Sequence, residues 1–368
     1  MCVSLSPQAA ASAHASTHVA LADGGFLVAW FGGTAEGAAD VAIWAARRAP
    51  LGAGQAVGGG SSPHPWSAPR VIAKVSDEAH WNPVLFFVGP VLHVHFKVGD
   101  DIGSWRTYAS TSADEGATWS SPRELVPGDR GGRGCVKNKP LMMPPPPEVG
   151  GGGEGVLLCG ASTEAQDTGW RAFVDVSTDG GRSFERTKDV HVVYHAHYPG
   201  AGVIQPALWR TPAREGAVHM LLRSDAGAVY RADSTDGGRT WGPARRTSLG
   251  NNNAGLDVAP VLGGSLLALA YNPGSKNWGA RYPLRVSLSA DDGQTWGQHV
   301  DLETAPGEFS YPAITPWPEG EAGGGAKGFT LTYTYNRRNV KFVSMSVKEL
   351  IRRAKEQEAR ARVGGRRE

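Results

Sequence analysis

The sequence predicts an all-β fold, a six-bladed β-propeller of four-stranded antiparallel blades, with a short helical tail. Three observations predict it. One turn motif recurs at blade-sized intervals, glycine and proline are abundant (50 and 25 among 368 residues), and short alternating apolar stretches lie between the turns. A 40% apolar content leaves ample material for a core.

Four segments share the pattern Ser-x-Asp-x-Gly-x-Thr/Ser-aromatic. The first runs through Ser112, Asp114, Gly116, Thr118 and Trp119, and the second through Ser177, Asp179, Gly181, Ser183 and Phe184. The third has Ser234, Asp236, Gly238, Thr240 and Trp241, and the fourth Ser289, Asp291, Gly293, Thr295 and Trp296. Ser and Asp side chains bond within a tight hairpin, Gly supplies a positive φ, and the aromatic packs under the neighbouring strand. Asp114, Asp179, Asp236 and Asp291 are therefore read as structural.

The first serines stand 65, 57 and 55 residues apart, which sets the blade size. Trp66, in a Pro-Trp-Ser-Ala-Pro-Arg run like the one after Trp119, marks a fifth unit whose turn motif has decayed. Residues 329–335 and 340–345 read as two alternating strands of a sixth unit. Residues 1–345 form the propeller, and 346–368 a charged, partly solvated helix that frays, with Leu350 and Ile351 as its strong apolar residues. Segments 52–62, 144–155 and 319–325 are Gly- or Pro-rich surface insertions.

The formal charge is +2, and several basic residues crowd into the tail, so the body is near neutral and has no electrostatic case for nucleic acid. No apolar run reaches the ~20 residues of a membrane span, and no secretory signal opens the chain, so an intracellular location is expected unless the N-terminus is incomplete. Cys2, Cys135 and Cys159 share no metal-ligand spacing and are read as free thiols. His195 and His197 read as a polar loop. No metal site or cofactor is expected, and oligomeric state is unreadable.

The four turns are similar to the Asp-box, or bacterial neuraminidase repeat, and their number and spacing resemble the sialidase-type propeller. The resemblance implies an arginine triad that clamps a sugar carboxylate. It also implies a tyrosine nucleophile activated by a glutamate, and an aspartic acid that protonates the leaving oxygen. Tyr311, in Phe-Ser-Tyr-Pro-Ala-Ile, matches the family's tyrosine segment, and Arg223 and Arg281 match two members of the clamp.

The chain departs from that pattern at three places. His14 stands where the first arginine is expected, and a neutral imidazole holds a carboxylate weakly. Gln205 stands for the glutamate, and an amide takes no proton from a phenol of pKa ~10. In the loop after the second strand, Glu36 fits the acid's spacing better and Asp40 is the runner-up. His80, Asn82, Lys137, Lys139 and Asp257 adjoin apolar strands and are expected to reach the same face and bind substrate. Trp81, Trp105, Trp170 and Trp278 are read first as packing and only then as sugar-stacking groups.

Three functions follow. The first is an exo-acting glycosidase that cleaves a terminal acidic sugar, sialic or a related ulosonic acid, from a glycan. The second is a lyase on uronate glycans, with Tyr311 and His14 or His80 as base and acid. The third is a non-catalytic carbohydrate-binding propeller. An acidic-sugar or glycan substrate is the partner expected of the enzymatic readings.

Overall fold

Strands that alternate over short runs and end in tight turns build six four-stranded antiparallel sheets. The computed structural model describes residues 2–4, 10–50, 66–145, 155–165, 167, 169–193, 200–318 and 327–364. The expected insertion at 52–62, the stretches 146–154 and 319–325, and His195 and His197 lie outside the described residues.

Blade 1 comprises β2 (Ser12–Ala20), β3 (Phe26–Gly33), β4 (Ala42–Arg48) and β5 (Arg70–Ala73). Blade 2 comprises β6 (His80–Val88), β7 (Val91–Val98), β8 (Arg106–Ser112) and β9 (Arg123–Glu124). Blade 3 follows with β10 (Leu141–Met143), β11 (Val156–Ala165), β12 (Gly169–Ser177) and β13 (Glu185–Arg186). Blade 4 has β14 (Val203–Arg210), β15 (Val218–Ser224), β16 (Ala228–Ser234) and β17 (Arg245–Gly250). Blade 5 has β18 (Asp257–Val261), β19 (Leu266–Tyr271), β20 (Leu284–Ser289) and β21 (Gly297–Glu303). Blade 6 takes β22 (Phe309–Pro316), β23 (Gly328–Tyr335) and β24 (Asn339–Ser346) from one end of the chain and β1 (Cys2–Ser4) from the other. Cys2 lies opposite Val343 and Ser4 opposite Lys341, so the sixth blade is completed by the first strand.

The second strands are covered on both faces by adjacent blades, so β3 and β15 are buried along their whole length and read as apolar runs. The four turn motifs sit between the third and fourth strands of blades 2 to 5. In the first, Ser112 Oγ donates to Asp114 Oδ1 at 2.7 Å and accepts from Gly116 N at 2.8 Å. Asp114 then accepts from Thr118 N at 2.8 Å and Thr118 Oγ1 at 2.6 Å. The glycine is needed twice over: φ is +85° at Gly116, and a Cβ there would stand 2.6 Å from Leu27 Cδ2 of the preceding blade. Gly238 makes the same approach to Leu158. The motif is thus a contact between blades as well as a turn.

Hydrogen bonds from Thr118 and Thr295 hold the Asp114 and Asp291 carboxyls down at about 2, and Asp179 also lies at about 2 despite its partial burial. Folded pKa values below the unfolded value stabilise the fold above the unfolded pKa, and that stability is lost as pH falls through the folded one. Acid titration followed by circular dichroism is therefore expected to show stability declining between about pH 4 and pH 2. Asp291→Asn is expected to flatten that decline.

The tail is more firmly seated than its charge implies. Helix α1 (Val347–Gly364) buries Val347, Leu350 and Ala354 against blades 5 and 6. Gln357 accepts from Asp301 N at 3.0 Å and donates to Asp301 O at 2.9 Å, so its amide extends the edge of β21. None of the described helices is long and apolar enough to cross a membrane.

The cysteine reading needs correction. Cys135 and Cys159 form a disulfide across 24 residues. The segment ahead of β10 folds back along β11, where Val136 N donates to Gly160 O at 3.0 Å, and this brings the two sulfurs together. An odd cysteine count leaves room for one pair.

Candidate active site

In every blade, the start of the inner strand and the loop between the second and third strands share one face of the propeller, and the turn motifs lie on the other. The antiparallel registers require this: Ser12, at the start of β2, pairs with Gly33, at the end of β3. All the polar groups described next come from that one face.

At or just ahead of the first strand of each blade, six residues adopt positive φ without being glycine: Ala15, Asn82, Lys137, Gln205, Asn253 and Tyr311. Ala15, Asn82, Gln205 and Tyr311 lie inside bulges of β2, β6, β14 and β22, each a register shift of the innermost pair. Lys137 and Asn253 precede β10 and β18. A bulge in the left-handed region turns a side chain out of the pleat, here toward the axis. Three of the six stand before proline, in Asn82-Pro83, Gln205-Pro206 and Tyr311-Pro312.

Gly255 gives these side chains a floor. A Cβ at Gly255 would meet Lys137 Cε at 3.1 Å, Tyr311 Cγ at 3.4 Å and Gln205 Oε1 at 3.5 Å, so all three side chains close on this glycine. Above it, Arg223 Nη1 donates to the Tyr311 hydroxyl at 2.7 Å and to Gln205 Oε1 at 3.3 Å, and Arg223 Nε donates to Asn253 Oδ1 at 2.7 Å. Gln205 Nε2 reaches the same hydroxyl at 3.5 Å. Arg223 is 3% exposed, and its partners are all neutral. The Glu164 carboxyl acts on it electrostatically without a hydrogen bond, and a buried guanidinium with no hydrogen-bonded anion is costly.

His14 is not the blade 1 residue of the ring; Ala15 is. The His14 imidazole packs on Tyr311 instead, with ring centres 4.3 Å apart, and its Nδ1 lies 2.8 Å from Thr334 Oγ1. Burial, then the charges of Arg337, Arg281, Arg223 and Lys137, push its pKa well below the usual histidine value, so it is neutral.

Arg281 Nη1 donates to Glu308 Oε1 at 2.9 Å, and its guanidinium carbon lies 5.6 Å from the centre of the Tyr311 ring. A third arginine joins it. Arg337, in the turn between β23 and β24, donates to the same Glu308 oxygen at 2.5 Å and is ion-paired to Glu36. Glu36 thus lies at the rim of the arginine cluster. Asp40 instead accepts from Thr34 N and Thr34 Oγ1, both at 2.9 Å, and shapes the loop.

The remaining expected groups fall into two sets. Lys137 Nζ donates to Asn138 Oδ1 and Leu256 O, both at 2.8 Å, and to Pro312 O; burial draws its ammonium down to about 7. It ties blades 5 and 6 to the segment ahead of blade 3. Lys139 pairs with Asp257 at 2.7 Å, and Asp257 also accepts from Ile314 N at 2.9 Å. His80 lies apart from the cluster, with both ring nitrogens bonded to its own loop at Val75 N and Glu78 O, each at 2.9 Å.

Sequence reasoning missed Arg337, Glu308 and Glu164. Glu164, near the end of β11, is opposite Trp170; burial raises its carboxyl pKa, and Arg223 pulls it back. Trp170 and Trp278 meet edge to face at 6.4 Å, with Arg223 under both at 5.3 and 5.9 Å. Trp278 is 66% exposed, so this pair covers Arg223 from the surface rather than lying in the core. Trp81 and Trp105 are core, as their first reading held.

The sequence model of the BNR repeat-like domain matches residues 24–323. The chain belongs to the BNR repeat-like family. No curated protein matches this BNR repeat-like chain. Among solved structures, a Hadza microbial sialidase superposes with a TM-score of 0.67 at 16% identity, covering 92% of this chain and 66% of that one. The chain thus spans slightly under two thirds of that sialidase. A variant of the NanB sialidase from Streptococcus pneumoniae gives 0.69 at 11% identity, covering 92% of this chain and 69% of that one. The Trypanosoma rangeli sialidase, captured with a difluorosialic acid as a covalent intermediate, gives 0.64 at 14% identity, covering 97% and 56%. At these identities the likeness establishes a sialidase-like fold for the BNR repeat-like chain.

Proposed function

We propose that the protein is an exo-acting glycoside hydrolase of the sialidase type, cleaving a terminal sialic or related ulosonic acid from a glycan. The observation that carries this reading is Arg223: a buried cation whose partners are neutral, bonded to the Tyr311 hydroxyl. A sugar carboxylate supplies an anion within hydrogen-bond reach, and a planar guanidinium grips it with two parallel bonds.

In this reading Arg223 and Arg281 hold the carboxylate, and the Tyr311 oxygen attacks the anomeric carbon to give a glycosyl-tyrosine. Glu36 protonates the departing oxygen and then activates water, so configuration is retained. Gln205 orients the phenol without deprotonating it. The phenol proton leaves to solvent, with the Arg223 guanidinium beside the oxygen that becomes charged. The covalent intermediate of the Trypanosoma rangeli sialidase supports a nucleophilic route on this fold.

The His14–Tyr311 contact also favours a second reading, a lyase that abstracts a proton beside a uronate carboxylate. A fluorogenic N-acetylneuraminic acid glycoside and a uronate oligosaccharide, assayed side by side, separate the two. Release of the sugar, with the retained anomer first in the NMR spectrum, supports hydrolysis. An unsaturated, ultraviolet-absorbing product moves the reaction to elimination. Binding of the free sugar without turnover of either substrate, with sialidase activity gained by Gln205→Glu, identifies a binding protein that has lost its catalyst.

A further inference from the structure

A second group of reactive side chains lies between blades 2 and 3, away from the pocket. His95 on β7, Cys159 on β11 and Cys135 ahead of β10 bring their donor atoms within 4.8 Å of one another. All three residues are 0% exposed. The surroundings are apolar: Val84, Phe86 and Leu157 pack with the two cysteines, and the Phe86 and Phe184 rings meet the His95 ring edge-on at 4.9 and 5.7 Å.

Neither ring nitrogen of His95 has a hydrogen-bond partner. Buried polar groups are nearly always paired, and an imidazole with two vacant nitrogens in an apolar wall is an anomaly that a ligand resolves. Burial also keeps that imidazole neutral, which is the form that binds a metal.

We propose that reduction of the Cys135–Cys159 disulfide opens a buried site for one copper(I) ion, held by the two cysteine sulfurs and one ring nitrogen of His95. A dithiol reductant supplies two electrons and two protons, breaks the S–S bond and leaves as its own disulfide. The metal ion then displaces both thiol protons to solvent. Donors about 2.0–2.3 Å from a central ion stand roughly 3.5–4 Å apart, a spacing the sulfurs reach by side-chain rotation once unbonded.

Thiolates select soft ions, and three donors complete a trigonal copper(I) site, whereas structural zinc asks for a fourth. The described residues offer three. The site would carry a net charge of minus one. Lys97 lies two residues from His95 on the same face of β7. Lys97 Nζ is held by Thr107 Oγ1 at 2.7 Å and by the carbonyls of Gly132 and Arg133 at 3.1 and 2.6 Å, which also anchors the chain leading to Cys135.

The test uses the full chain, reduced and freed of reductant without oxygen, then titrated with copper(I) against a chromophoric copper(I) chelator. One equivalent is expected to pass to the protein, with two sulfur and one nitrogen scatterers in its X-ray absorption spectrum. The disulfide form is expected to take none, and Cys2→Ser to bind as wild type. Cys135→Ser is expected to bind at least about a hundredfold more weakly, and His95→Phe at least about tenfold, with His95→Gln as a polar control for folding. Circular dichroism confirms that each protein is folded. A folded, reduced wild type that leaves copper with the chelator overturns the proposal. So does unchanged binding by Cys135→Ser, or retention of zinc in preference to copper.

Discussion

Tyr311→Phe is expected to lower kcat on an N-acetylneuraminic acid glycoside by at least about a thousandfold while leaving the fold intact. The substitution removes one oxygen. The ring keeps its contacts with His14, Arg281 and Arg223, so the packing around Gly255 is unchanged. If Tyr311 only lined the pocket, the loss would appear in KM and be modest. A nucleophile instead leaves KM nearly unchanged and removes the covalent adduct. Steady-state kinetics and mass spectrometry with a fluorinated sialoside read both: the adduct forms on wild type and not on the variant. Retention of a tenth of the activity would remove Tyr311 from the mechanism.

The second large effect is expected at Arg223. Arg223→Lys keeps the charge and loses the planar fork, so it cannot donate at once to Asn253, Gln205 and the Tyr311 hydroxyl. Breaking one side of a buried charged contact lowers kcat/KM by roughly a hundredfold, and Arg223→Ala by more. The discriminating measurement compares a carboxylate inhibitor with its methyl ester. Wild type is expected to bind the acid far more tightly than the ester, and Arg223→Lys to distinguish them poorly. Arg337→Ala, at the rim and already paired to Glu308 and Glu36, is expected to change the ratio much less. Equal discrimination by Arg223→Lys would place the carboxylate elsewhere.

The fold was legible because each Ser-Asp-Gly-Thr turn carries its full hydrogen-bond set within eight residues, so local spacing reports a global repeat. The sixth blade was legible only in part: its fourth strand is β1, and no local pattern announces a pairing between residues 2–4 and 341–343. Tyr311, Gln205 and Arg223 were found together through their match to the family's segments, and each stands near the same end of an inner strand or its partner. Arg337 and Glu164 escaped, since they sit at hairpin ends in short polar runs that read as ordinary turns. His14 was matched to the first arginine of the family's clamp, and the bulge in β2 puts Ala15 at positive φ and turns the imidazole against Tyr311. One residue of register decides that, and composition does not report it. The disulfide was missed for a related reason, because the topology that folds residue 135 back on 159 is tertiary.

The six left-handed residues, four in bulges and two ahead of their strands, have an evolutionary consequence. They form a dial with one setting per blade: methyl, amide, amine, amide, amide, phenol at positions 15, 82, 137, 205, 253 and 311. Each is presented by backbone geometry and not by the side chain's own packing, so the chemical character of the pocket can be rewritten one blade at a time while the sheets behind it stay as they are. A scaffold of this kind separates the inheritance of shape from the inheritance of reactivity, and divergence among its descendants is expected to concentrate at those six addresses.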